Sequence, residues 1–166
     1  MHPLIDEAMK RAPVAWVAVL GRPAFPVWCL WIDDSLYVVS GKGEQAAPGL
    51  RDATSALVTA RGDHGGRVVT WPAAVALLRN ATDDFTAVAG QLAAKRLNSA
   101  GTDELVSRWA HDCVINRLTP AGAPVEQGAT LPDASLAAPP SPSPAVSETR
   151  RPFRLHRVRG AARPRD

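Results

Sequence analysis

Sulfur and most aromatic residues are scarce in this chain, which has two cysteines, two methionines, one tyrosine and three phenylalanines in 166 residues. Cys29 and Cys113 lie far apart without CxxC spacing, which argues against a disulfide framework or a zinc knuckle and leaves both as small buried hydrophobes. Long apolar runs are missing as well. The longest near the N-terminus, residues 14–20, is far shorter than a bilayer span, and no secretory pattern precedes it, so a cytoplasmic protein without a membrane segment is expected. No nucleophile is paired with a base in a known motif. His111, Asp112 and Cys113 are neighbours on a helical stretch, where adjacent positions do not face one ion, so no metal site is expected. The sequence names no reaction by itself.

What is present is a neutral body and a basic end. Residues 121–166 hold seven arginines and four acidic residues, which accounts for the whole net charge of +3; the first 120 residues carry twelve charges of each sign. A neutral body supplies no long-range field for steering a nucleic acid. The end also holds more than half of the fifteen prolines, including APPSPSPA, and closes on RRPFRLHRVRGAARPR. Such a segment cannot bury enough apolar area to offset its ordering entropy, so residues 1–120 are expected to fold and 121–166 to form a disordered tail. Nucleic acid would be met only through that tail.

Taken in order, residues 3–12 have the spacing of a short amphipathic helix that Pro13 stops. AWVAVL, PVWCLWI and SLYVVS then read as a meander of three strands, the last two joined by a tight turn at Asp33 and Asp34. The loop SGKGEQ follows, then a short irregular helix over 44–53, interrupted by Pro48 and Gly49. TSALVTAR and RVVTWPAAVALL are a fourth and fifth strand around the turn GDHGG, with Pro72 marking a bulge or bend. From Thr82 the period changes to that of a helix through Leu97, a second helix covers 103–111, and CVINRLTP returns as a last strand ending at Pro120. Strands apolar on both faces need cover on both. That cover is expected from a second copy of the chain, with helices of the same chain as the alternative. Trp16, Trp28, Trp31 and Trp71 all fall in strands and cannot all point into one small barrel.

This order of elements over residues 1–120 resembles the flavin-binding split barrels of the pyridoxamine 5'-phosphate oxidase-like superfamily, which includes actinobacterial deazaflavin-dependent reductases. The pieces that carry the likeness are AWVAVL, PVWCLWIDDSLYVVSGKGEQ, LVTARGDHGGRVVTW, KRLN and RWAHDCVINRL. The resemblance implies an α+β fold, an antiparallel split β-barrel of FMN-binding type with flanking helices, and a homodimer with its cofactor in a cleft between subunits. It implies that the cofactor phosphate is held by Ser40, Gly41, Lys42, Gly43 and Gln45, with Arg67 as a second cation. Independently of the family, glycine-flanked amides, a hydroxyl and an ammonium on one loop suit a phosphate dianion. The strand PVWCLWI would lie along the flat face of FMN or a deazaflavin, and Trp28 is its pocket-lining residue. The triplet Arg154, Leu155, His156 matches the substrate-gripping signature of the oxidase proper but follows Trp109 and Arg117 where it should precede them, so pyridoxamine phosphate oxidation is not expected. No Asn-Pro stands at 52–54, where many members have it.

The resulting expectation is an oxidoreductase that passes a hydride between FMN or a deazaflavin and a small planar organic substrate. The alternative is a dimer of the same barrel that holds a flavin, a haem-like or another planar ligand without turnover.

Overall fold

The structure of the chain, a computed structural model, describes residues 2–62, 65–80, 82–96, 101–131 and Ser143. Most of the expected disordered tail, His64, and the expected end at Leu97 of the helix that starts at Thr82 lie outside the described residues.

Helix α1 (Pro3–Arg11) opens with proline at its first position, where the missing N–H is no loss, and His2 Nδ1 accepts the Leu4 amide at 3.3 Å. Ile5 and Met9, four residues apart, share the buried face. On its other side Asp6 accepts Lys10 Nζ at 2.7 Å and Trp31 Nε1 at 2.9 Å. These two hydrogen bonds, Lys10 first, hold the Asp6 carboxyl below its ordinary value of 3.8. A carboxyl depressed by folding stabilises above its unfolded value, and that contribution is lost as the pH falls through the folded one. Trp31 emission should therefore stay constant on acidification until below pH 3.8 and then shift. Asp6→Asn should remove that transition; an unchanged acid titration in the variant would show that Asp6 does not anchor the indole.

The strands are β1 (Val14–Ala18), β2 (Phe25–Trp28), β3 (Leu30–Ile32), β4 (Ser35–Gly41), β5 (Ser55–Arg61), β6 (Arg67–Leu77), β7 (Cys113–Pro120) and β8 (Glu126–Gln127). Helices α2 (Asp83–Lys95) and α3 (Thr102–Asp112) lie between β6 and β7. The antiparallel sheet runs β2-β1-β5-β6-β7-β4-β3, with β8 on β6. Its two terminal strands, β2 and β3, are halves of one run parted at Cys29. The sheet therefore closes into a barrel, with α2 and α3 packed outside it.

The run PVWCLWI, expected as one strand, is broken because Cys29 leaves the ladder and its amide donates to Pro13 O at 3.1 Å. Burial pushes the Cys29 thiol up to about 12, which makes it a hydrophobe and not a nucleophile. Asp33 and Asp34 take φ of +43° and +61° between the paired residues Ile32 and Ser35, the geometry of a two-residue hairpin whose twist matches its strands.

Two apolar cores share the wall of the barrel. Ile5, Val17, Val27, Leu36, Val58 and Trp71 fill the interior, where Trp31 meets Trp71 edge-on at 6.0 Å. Tyr37, Val39 and Ile115 project outward from β4 and β7 onto Phe85, Leu92 and Trp109 of the helices. The cover over these strands thus comes from the same chain, and β4 is buried at every position from Ser35 to Ser40. On the rest of the wall, Val14 and Leu57 remain exposed.

Three sequence expectations need correction. Residues 44–53 hold only a 3-10 turn, Leu50–Asp52, because Pro48 and the left-handed Gly49 (φ +77°) break any longer helix. The bulge lies between β5 and β6 at Ala60/Arg61, whereas Pro72 sits in regular register opposite Leu57. Organised structure also continues past Pro120: Ala121 N donates to Pro72 O at 2.8 Å and Val125 N to Thr70 O at 2.8 Å. This brings β8 onto β6 beyond the end of β7. Pro72, which has no N–H, stands where β6 passes from one partner to the other.

Candidate functional site

The segment that the sequence singles out, residues 40–45, leaves the barrel at the end of β4 and turns back beneath α3. Its shape is set by side chains that face inward. The Glu44 side chain is 2% exposed, and its carboxylate receives Arg108 at 2.6 Å, Arg96 at 2.9 Å and the Trp109 indole N–H at 3.0 Å. One anion therefore ties the loop to the end of α2 and to the middle of α3. Gln45 reaches the other way: Trp28 N donates to its Oε1 at 2.6 Å, and its Nε2 donates to Trp28 O at 2.7 Å and Val39 O at 3.0 Å. The amide replaces the ladder bonds that β2 loses at the kink.

This arrangement predicts a charge-sensitive position. Gln45→Glu would put an acceptor against two carbonyl oxygens and leave both unpaired. It should cost about 3 kcal/mol, more than Gln45→Met, which removes the bonds without adding repulsion. Urea unfolding of both variants checks the order; equal losses would mean that the bridging amide does not fix the kink.

The backbone of the loop is also engaged. Gly41 N donates to Gln45 O at 3.4 Å, Lys42 N to Asp112 O at 3.3 Å and Glu44 N to Gly41 O at 3.1 Å. Ser40, Gly41 and Gln45 line a cleft of about 510 Å³ together with Arg51, Asn80, His111 and Val114. Lys42 is exposed and is not part of that lining. Gly43 (φ +76°) lies against Arg108, whose Nη1 would be 2.8 Å from a β-carbon there. Trp28 lines a second cleft, of about 430 Å³, with Lys10, Trp31 and Lys95, and the Arg96 guanidinium lies 5.6 Å from the centre of its ring. Gln45 connects the two clefts through the backbone of Trp28.

Arg67 stands apart from these residues. The second half of β6 pairs with β7 from Ala73↔Pro120 to Leu77↔Asn116, and Gly41 pairs with Cys113 at the opposite end of β7. Arg67, at the far end of β6, is therefore separated from Lys42 by the length of the barrel. A site that uses both cations has to take them from two chains.

Glu44, Arg96, Arg108, Arg51 and His111 were not among the expected loop-site residues. Glu44 and Gln45 stand side by side as an acid and an amide of the same length in a polar hexapeptide, and only contacts more than 50 residues away in the sequence give Glu44 its role. Among the described residues no group of three or more His, Cys, Asp or Glu gathers in the manner of a metal site.

The topology is that of an α+β split barrel. Solved structures share this fold. HutZ, the heme storage protein of Vibrio cholerae, superposes with a TM-score of 0.56 at 16% identity over 74% of this chain and 91% of that one. A candidate pyridoxamine 5'-phosphate oxidase of Listeria innocua matches at 0.49 and 14% identity over 73% and 94%. The FAD and heme binding protein of Mycobacterium smegmatis matches at 0.43 and 20% identity over 85% and 90%. No family model and no curated protein sequence matches the chain. No described helix is long and apolar enough to cross a membrane.

Proposed function

We propose that the chain binds FMN or a deazaflavin at a seam between two copies and passes a hydride to or from a small planar organic substrate. The observation that carries this reading is the separation of Lys42 from Arg67 across one barrel, together with an outer sheet face on which Val14 and Leu57 are exposed. Two barrels packed on that face would bring one chain's loop toward the other's β6, enclosing a slot with cations at its rim. Glu44 and Gln45 would hold that rim rigid, and the half-buried Trp28 would offer an aromatic wall. The flavin, when bound, supplies the hydride chemistry; the chain's own residues orient it and exclude water.

The test is a titration of the purified protein with FMN and with a deazaflavin, followed by tryptophan fluorescence, alongside sedimentation to measure the oligomer. Saturable quenching at tens of micromolar or below, with a dimer, is expected. A monomer that binds neither cofactor would end the reading.

A second reading, a dimer that stores a planar ligand without turnover, is favoured by His111 on the rim of the 510 Å³ cleft, since an exposed imidazole is a ready heme ligand. A heme absorption band that is lost in His111→Ala, in a protein that no donor can reduce through bound flavin, would select it.

A further inference from the structure

A small cleft of about 220 Å³ opens between α2 and the outer face of β4 and β7, on the strands that the helices cover and not on β1 and β5, where Val14 and Leu57 are exposed. None of the loop-site residues lines it. Tyr37 and Arg117, directly paired across β4 and β7, line it from the sheet. Asp84, Val88 and Gln91 stand at i, i+4 and i+7 along α2 and line it from the helix, and the small side chain of Ala87 between them leaves the space open. Asp33 joins them from the left-handed turn after Ile32.

Tyr37 is the only tyrosine of the chain, and it is 7% exposed. Its ring belongs to the core that contains Phe85 and Val88, while its hydroxyl has no hydrogen-bond partner among the described residues and is not sealed from solvent. A bare hydroxyl on a buried ring that lines a cleft marks a place for a ligand atom. The charges beside it are likewise unmet. Arg117, Asp33 and Asp84 are exposed and line one cleft, yet among the described residues none of the three forms an ion pair. Opposite charges that share a cleft without touching are best matched by a molecule that carries both signs.

We propose that this cleft binds a free α-amino acid with a basic side chain. One guanidinium and two carboxylates call for one anion and two cations. The ligand's carboxylate would take the fork of donors on Arg117 and the proton of the Tyr37 hydroxyl; its α-ammonium would meet one aspartate and its side-chain cation the other. Ile32, Leu78 and Val88 supply apolar surface for the methylene stem between those charges. The volume is below the roughly 300–1,000 Å³ of pockets that hold drug-sized ligands, as a small metabolite requires. Nothing in this cleft depends on a flavin.

The experiment uses the full-length protein with 3-fluorotyrosine in place of tyrosine, so that Tyr37 gives a single fluorine resonance. Lysine is titrated beside norleucine, which lacks the side-chain ammonium, and cadaverine, which lacks the carboxylate. Lysine should shift the resonance saturably with a Kd of about 1 mM or below, and the other two should bind about tenfold more weakly, the weight of one charge-assisted contact. Arg117→Met should weaken lysine by about as much, bringing it to the level of cadaverine, and Asp84→Asn should do the same by removing one of the two anions. Both side chains are exposed and unpaired, so these variants should keep the urea unfolding curve of the parent protein. No saturable shift with lysine, equal binding of the three compounds, or a lysine affinity unchanged in either variant overturns the proposal.

Discussion

Replacing Glu44 with alanine should lower the unfolding free energy by about 3 kcal/mol and the melting temperature by about 10 °C. The carboxylate is 2% exposed and answers three donors, two guanidiniums and the Trp109 indole, so its loss strands charges and a buried N–H together. Arg96 and Arg108 are each 36% exposed and can turn toward water, which keeps the cost below that of a wholly enclosed pair. Trp109 has no such escape, because it is fully buried. Glu44→Gln retains an acceptor for the indole and should fall between wild type and alanine. Calorimetry of the three proteins checks the order, and an alanine variant within about 1 kcal/mol of wild type, the range of an ordinary surface ion pair, would show that the cluster is not a structural tie.

Gly41→Ala should be costlier still, about 4 kcal/mol. Its φ of +145° is closed to other residues, and a β-carbon there would stand 2.6 Å from Asp112 O and 2.7 Å from Cys113 Cα, both backbone atoms that cannot swing aside. Gly21 is the control. It has φ +74° but no atom within 4 Å of the added carbon, so alanine there bears only the backbone strain, about 1 kcal/mol. Chemical denaturation of both variants separates the two terms. A loss at position 41 no larger than at 21 would mean that the end of β4 and the start of β7 can part without penalty.

Much of the fold was legible because its signals are local. Apolar runs, the Asp33–Asp34 turn and the change of period at Thr82 correspond to β1 to β4 and α2, and the Thr82 hydroxyl does accept the Phe85 amide at 3.2 Å. The kink at Cys29 was hidden because an unbroken apolar run carries no mark of the residue that will leave the ladder. Pro72 drew the bulge to itself, yet the shift lies at Arg61 and Val68, where nothing in the residue types announces it. The site was legible as a place and not as an arrangement. SGKGEQ does border a cleft, but Glu44 and Gln45 serve the scaffold, and their partners Arg96, Arg108 and Trp28 come from elements that only the folded chain brings near.

The position of β7 between β6 and β4 has a consequence for how the protein is made. Its partner Leu36 lies more than eighty residues before Leu118, so the meander at the start of the chain has no neighbour on one side until residues 113–120 leave the ribosome. Until then β4 presents an unsatisfied edge, and the outward Tyr37 and Val39 lack the helices that cover them. The nascent chain must pass through a stage prone to self-association, and folding speed will be governed by this late, long-range closure more than by any helix.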